Sequence, residues 1–254
     1  MIVQMDSGRI SADKRLFSPR TARELWSIMT PIGIGTPAPE LAPLRANFNG
    51  YALGFGIRDY RGYKLVSHTG GLPGFVSQVM MIPEVKAGVC ILTNQESGAA
   101  FNAISLYVLD RYLKASHDWL GALSTVMARA DSMMKAREGS ITTSRDANSK
   151  SSLPLEKYAG TYRDEWYGDV AISQEQRRMV IRFTKTPDLV GDLEHWQYDT
   201  FVAKWRDREL RADAFVTFSL NPDGSIERVK MKAVSPATDF SFDFHDLLLK
   251  PVKE

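Results

Sequence analysis

The sequence predicts an α+β chain in two parts: a partial antiparallel sheet with covering helices, then a small all-β barrel or sandwich. Three observations predict it. Between residues 51 and 93, apolar runs of strand length are separated by turn residues. After Asn94 the apolar spacing lengthens to that of a helix and stays so as far as Met134. Beyond a stretch rich in Ser, Thr, Asn and Lys, the period falls back to about two.

Each element has its own signal. Met1–Gly8 reads as the last turns of a helix stopped by glycine, so a chain that opens this way is expected to have more residues ahead of it. Ser18-Pro19 starts a helix running to Met29, with serine as cap and proline in the first turn. Four prolines make Thr30–Asn49 a loop. Tyr51–Ile57 reads as a strand, and Asp59–Gly62 as a turn into a strand that reaches His68. Phe75–Ile82 and Ala87–Thr93, split by Pro83–Lys86, read as antiparallel strands buried on nearly both faces. Phe101, Ile104, Val108 and Tyr112 mark one helix, widened by Leu106, Leu109 and Leu113. Trp119 to Met134 mark a second, whose methionines are expected to pack.

Residues 138–152 read as a linker between a domain at 1–137 and one at 153–254. In the second domain Val170/Ile172, Met179/Ile181/Phe183, Val216/Phe218/Leu220 and Phe240/Phe242/Phe244 alternate. Turns at Gln174–Arg177 and Asn221–Gly224 separate them. Trp166, Tyr167, Trp196, Tyr198 and Trp205 would either line a ligand cavity or form the core. Asp164-Glu165 and Asp239, Asp243 and Asp246 read as solvated.

Composition narrows the function. The 254 residues are 44% apolar and 24% charged, ordinary for a globular protein. A net charge of +2 gives no electrostatic reason for nucleic acid as a partner. Cys90, the single cysteine, sits in an apolar run and is expected in the core. His68, His117, His195 and His245 lack metal-ligand spacing, so no metal or other cofactor is expected. No apolar run reaches the ~20 residues that span a bilayer, and no basic-then-apolar leader opens the chain.

The chemistry concentrates in Tyr63-Lys-Leu-Val-Ser-His68-Thr69-Gly70-Gly71-Leu-Pro-Gly74-Phe-Val-Ser77. This is a strand ending in an imidazole, a hydroxyl and two glycines, a composition that lets a substrate approach the backbone. Together with Tyr51-Ala-Leu-Gly54-Phe-Gly56, the Phe75–Pro83 strand and Thr93-Asn94 before a helix, it resembles the final strands and C-terminal helix of serine beta-lactamase-like hydrolases. That family includes class C beta-lactamases, D-alanyl-D-alanine carboxypeptidases, D-aminopeptidases and related esterases. Leu155–Tyr162 resembles the start of the lipocalin-like domain often appended to them, so the resemblance covers nearly the whole chain.

The resemblance implies an acyl-enzyme mechanism on amide or ester bonds of beta-lactams, D-amino-acid peptides or esters. His68-Thr69-Gly70 would supply the family's third motif, Gly71 N–H an oxyanion donor, and Ser77 a substrate contact. The family's Ser-x-x-Lys nucleophile and its Tyr-x-Asn or Ser-x-Asn motif normally lie upstream. Ser11–Lys14 and Ser132–Lys135 fit the first pattern literally, but one lies in a polar turn and the other follows the third motif. The chain is therefore expected to be inactive alone, self-associating or completed by an N-terminal segment. The other reading is a non-catalytic ligand-binding or interaction protein. Relatives are often periplasmic or exported; the chain itself leaves its compartment open.

Overall fold

The computed structural model describes residues 1–72, 74–239 and 241–252. The chain divides into two compact units, Met1–Ser132 and Met133–Glu254.

The first unit is an antiparallel meander of β1 (Thr30–Pro31), β2 (Asn49–Tyr51), β3 (Gly56–Tyr60), β4 (Tyr63–Leu72), β5 (Phe75–Ile82) and β6 (Ala87–Thr93), in that spatial order. The single strand expected over 51–57 is broken. Gly54 takes φ +84°, and Ala52 N–H donates to Phe55 O at 2.7 Å, closing a turn between β2 and β3. β3 and β4 join through Arg61 and Gly62 at φ 49° and 83°, the all-positive pair that matches strand twist in a two-residue hairpin.

Helices α1 (Ile2–Met5) and α2 (Pro19–Leu25) precede the sheet, with Ser18 Oγ capping α2 at Thr21 N–H. Met1, Met5 and Trp26 pack with Ala52, Ile57, Val66 and Met81 on one sheet face. On the other, Leu106 and Leu109 of α3 (Gly98–Tyr112) and Trp119 of α4 (Trp119–Thr143) cover Tyr60, Leu65, Met80 and Ile82.

Several burial expectations fail here. Ile104 and Tyr112 are exposed, while the stripe α3 buries is Phe101, Ser105, Leu106, Leu109 and Asp110. β6 is covered on one face only, so Cys90 is exposed, not in the core. α4 buries Trp119 and Ala122 and leaves Met127 and Met133 outside. Residues 138–143, read as linker, are the last turns of that helix. Thr142 and Thr143 hydroxyls donate to the carbonyls of Glu138 and Gly139, which accommodates threonine in a helix. Residues 144–152 are irregular, but Arg145 is strapped to Trp196 O at 2.8 Å and Ser152 to Asp199.

The second unit is a nearly closed antiparallel barrel. Its strands are β7 (Gly160–Asp164), β8 (Gly168–Glu175), β9 (Arg178–Phe183), β10 (Val190–Gln197), β11 (Thr200–Trp205), β12 (Ala214–Leu220), β13 (Ile226–Ala233) and β14 (Lys250–Pro251). β14 pairs with β7, and the adjoining Leu249 exchanges both backbone hydrogen bonds with Val229 of β13, at 2.8 and 3.1 Å. Val170/Ile172 and Met179/Ile181/Phe183 face the core as their alternation predicts.

Aromatic rings fill the interior. Tyr158, Phe201 and Phe218 lie with centroids 4.8–5.7 Å apart. Trp205 is buried beside them, whereas Trp166 is 88% exposed and Tyr198 lies outside, so the five aromatics form neither one core nor one cavity. The Phe240/Phe242/Phe244 alternation makes no strand among the described residues. Phe240 lies outside them, and Phe244 stacks on Trp205 from a 3₁₀ turn. Asp164 is buried, not solvated, accepting N–H bonds from Trp166, Tyr167 and Leu248. Burial pushes its carboxyl up, and those three donors outweigh that and hold it below the usual aspartate range.

Candidate functional site

The stretch His68–Leu72 is a ladder edge open on one side. β5 pairs with all of it, His68 opposite Val79, Thr69 opposite Gln78, Gly70 opposite Ser77 and Gly71 opposite Val76. β3 stops at Gly56, opposite Ser67. Among the described residues no strand pairs with 68–72 on that side.

Ladder alternation says which backbone groups face the opening. Tyr60 and Tyr63 flank the two-residue turn and form a hydrogen-bonded pair, so β4 residues 63, 65 and 67 point their N–H and C=O at β3. Continuing by twos, Thr69 and Gly71 aim theirs past the end of β3. Those N–H groups are held in a rigid sheet and aimed outward.

Side chains follow the opposite parity. Val66, His68, Gly70 and Leu72 share the face that α1 packs on lower down, and Thr69 lies on the α3 face. His68, Thr69, Gly70 and Gly71 are all exposed. His68 Nε2 lies 3.0 Å from Tyr51 Oη, and Phe55 meets the imidazole edge-on at 6.5 Å. Ser77, half-buried on the His68 face, donates its hydroxyl to Gly70 O at 3.4 Å. A Cβ on Gly70 would lie 2.8 Å from that hydroxyl, whereas one on Gly71 would meet nothing nearer than 3.9 Å.

Beneath the edge the sheet is pinned to α3. Gln78, 4% exposed, donates from Nε2 to Asn102 Oδ1 at 2.9 Å and accepts at Oε1 from Ser105 at 2.6 Å. Glu96 Oε1 accepts the Gly74 N–H at 2.8 Å, tying the far end of the hairpin to the loop before α3. Sequence reasoning missed Tyr51, Gln78 and Glu96 as partners of this strand. Gln78 in an otherwise apolar strand was the one available signal.

The Ser-x-x-Lys matches lie elsewhere in their own local turns. Ser11 meets Lys14 through the backbone, its N–H donating to Lys14 O at 3.2 Å. Ser132 Oγ donates to Ala128 O at 2.9 Å on α4. All four side chains are exposed. In the barrel unit, Asp243, His245 and Asp246 bring one ligand atom each within 4.8 Å of one another, all exposed.

Residues 144–251 match the family model of a domain of unknown function, DUF3471. An unguisins hydrolase of Aspergillus campestris is 26% identical over 175 residues, covering 65% of this chain and 31% of the relative. The chain resembles the C-terminal region of beta-lactamase-like hydrolases. An unguisins hydrolase of Aspergillus violaceofuscus is also 26% identical, over 156 residues, 58% of this chain and 27% of that protein. The chain thus spans about a third of the length of these curated relatives.

Among solved structures, an octameric penicillin-binding protein homologue from Pyrococcus abyssi aligns over 97% of this chain and 44% of its own. Its TM-score is 0.36 and its identity 16%. The C-terminal domain of a penicillin binding protein aligns over 42% of this chain and 93% of its own, with TM-score 0.32 and 19% identity.

Proposed function

We propose that residues 1–137 are the C-terminal part of the catalytic domain of a serine hydrolase that cleaves amide or ester bonds through an acyl-enzyme. Residues 153–254 would then be the lipocalin-like domain appended to it. The observation that carries the reading is the open edge at Thr69 and Gly71. A tetrahedral oxyanion needs donors already oriented where charge develops, and a sheet N–H with no strand partner meets that need without reorganisation. In this scheme the Gly71 N–H receives the oxyanion. The Thr69 and Gly71 carbonyls accept from a substrate amide laid along the edge. His68 contributes a hydrogen bond from the same strand, and Ser77 borders the binding face.

The attacking hydroxyl and its base come from outside residues 1–254, from an N-terminal segment or a complementing chain. The exposed, self-bonded settings of Ser11 and Ser132 support that assignment. Substrates fitting the edge are a beta-lactam, a D-amino-acid peptide or a simple ester. The tightly filled barrel counts against the alternative of a ligand held inside it.

The test has two arms. Incubation with nitrocefin, p-nitrophenyl acetate and a fluorophosphonate should give neither turnover nor covalent label from this chain. Titration with an N-acyl-D-alanyl-D-alanine peptide should move the Thr69 and Gly71 amide resonances ahead of others. A label that disappears on Ser11→Ala or Ser132→Ala overturns the external nucleophile. Perturbations that avoid β4 overturn the site.

A further inference from the structure

Among the described residues, Tyr51 is the side chain within hydrogen-bond reach of the His68 ring. It closes β2 opposite Gly56, which in turn pairs with Ser67, so the ladder gives Tyr51 the face of Ser67, and the phenol meets His68, which lies on the other face, at the open edge where β3 stops. Phe55, edge-on to the imidazole at 6.5 Å and 82°, limits its tilt from the side of the β2–β3 turn.

A neutral imidazole has one N–H and one bare nitrogen, and which is which depends on the partner of each. Between a phenol and a neutral imidazole the stronger arrangement has O–H donating to the bare ring nitrogen, because the phenol is the better donor and the ring nitrogen the better acceptor. At 3.0 Å between Oη and Nε2 that arrangement is available. It forces the remaining proton onto Nδ1.

We propose that Tyr51 is a positioning residue that fixes His68 in the Nδ1–H tautomer, so that His68 meets its ligand as a hydrogen-bond donor and not as a base. The ligand group it selects is then an acceptor, a carbonyl or carboxylate oxygen of the substrate. The assignment of a ligand to His68 rests on the hydrolase reading; the tautomer itself does not.

The experiment uses the full chain, ligand-free, with ¹⁵N-labelled histidine at about pH 9, above the usual histidine titration range. Long-range ¹H–¹⁵N correlation distinguishes a protonated from a bare ring nitrogen. In the wild type, His68 Nδ1 should carry the proton and Nε2 should resonate as a bare nitrogen. In Tyr51→Phe both His68 nitrogens should move toward the averaged position of exchanging tautomers. His245, exposed on the barrel unit, should keep its shifts in both proteins.

An Nε2–H tautomer in the wild type overturns the proposal, whether or not the variant folds. Identical His68 shifts in the two proteins also overturn it. The peptide titration reads Thr69 and Gly71 instead, so either proposal can fail without the other.

Discussion

Asp110 should be the most costly single polar residue to remove from the first unit. It is 2% exposed on α3, and each of its oxygens receives two donors. Oδ1 accepts from Tyr60 Oη and from Arg61 Nε at 2.8 Å, and Oδ2 from Arg61 Nη2 at 3.0 Å and Trp119 Nε1 at 2.9 Å. One carboxylate therefore ties the β3–β4 hairpin to α3 and to the start of α4.

In Asp110→Asn one oxygen becomes an amide NH₂. Placed at Oδ2 it faces two donors that cannot accept; placed at Oδ1 it can donate to Tyr60 Oη but loses Arg61. Stripping one partner from a buried ion pair costs roughly 3–5 kcal/mol. The Arg61 side chain is 25% exposed, so water recovers part of its solvation and the lower end, about 3 kcal/mol, applies. At a urea slope of about 2 kcal/mol/M the midpoint of the first unit falls by roughly 1.5 M. Hydrogen exchange over residues 56–82 assigns the loss to that unit.

Burial pushes the Asp110 carboxyl up, but the donors from Arg61, Tyr60 and Trp119 outweigh it and hold the group below its ordinary 3.8. A depressed folded value adds stability above the unfolded pKa, and that stability is lost as pH falls through the folded one. The wild type should therefore weaken below about pH 4 more steeply than the variant. A midpoint within about 0.25 M of wild type would refute the reasoning.

Gly191→Ala should destabilise the barrel by about 1–3 kcal/mol, read as a lower melting temperature, because its Cβ would sit 2.8 Å from the buried Trp205 ring and 3.0 Å from Lys204 O. Burial first, and then the bond to Asp199, push the Tyr158 phenol up to about 12. Absorbance of the wild type and Tyr158→Phe should therefore diverge only near that pH, and the stability Tyr158 gives should fade as pH rises from its unfolded value of about 10 toward it. Native Cys90 should react stoichiometrically with a thiol reagent; a requirement for urea would restore it to the core.

The fold was legible where hydropathy alone decides. Phe75–Ile82 and Ala87–Thr93 end where Pro83–Lys86 interrupts the apolar run, and the observed strands have those bounds. Hydropathy misplaced the face of α3 because two of its buried residues are polar. Ser105 is satisfied by Gln78 and Asp110 by Tyr60, Arg61 and Trp119, partners 27 to 50 residues away or across a turn. No local pattern announces them. The barrel was readable in β8 and β9. It was not readable in β10, where the inward positions 191 and 195 hold glycine and histidine in place of apolar side chains.

The four residues of the candidate site stood out in the chain, but the reason for their glycines became visible only with the ladder. Two adjacent glycines weaken a strand, and an open edge invites unwanted pairing, so a purely structural strand gains from neither. At Gly70 the Ser77 hydroxyl gives a steric reason for glycine. At Gly71 none exists within the fold, since a Cβ would have ordinary clearance of 3.9 Å. Gly71→Ala should thus leave the fold intact or stabilise it by up to about 1 kcal/mol, through the lower entropy of the unfolded chain. The same variant should blunt the response of the edge to an acyl-D-alanyl peptide, because a side chain there crowds whatever lies along it. If Gly71→Ala instead unfolds the sheet, the glycine is a structural necessity and the argument from clearance is wrong. If it is stable and binds unchanged, glycine at 71 has no bearing on the edge, and the case for a ligand there loses its steric support.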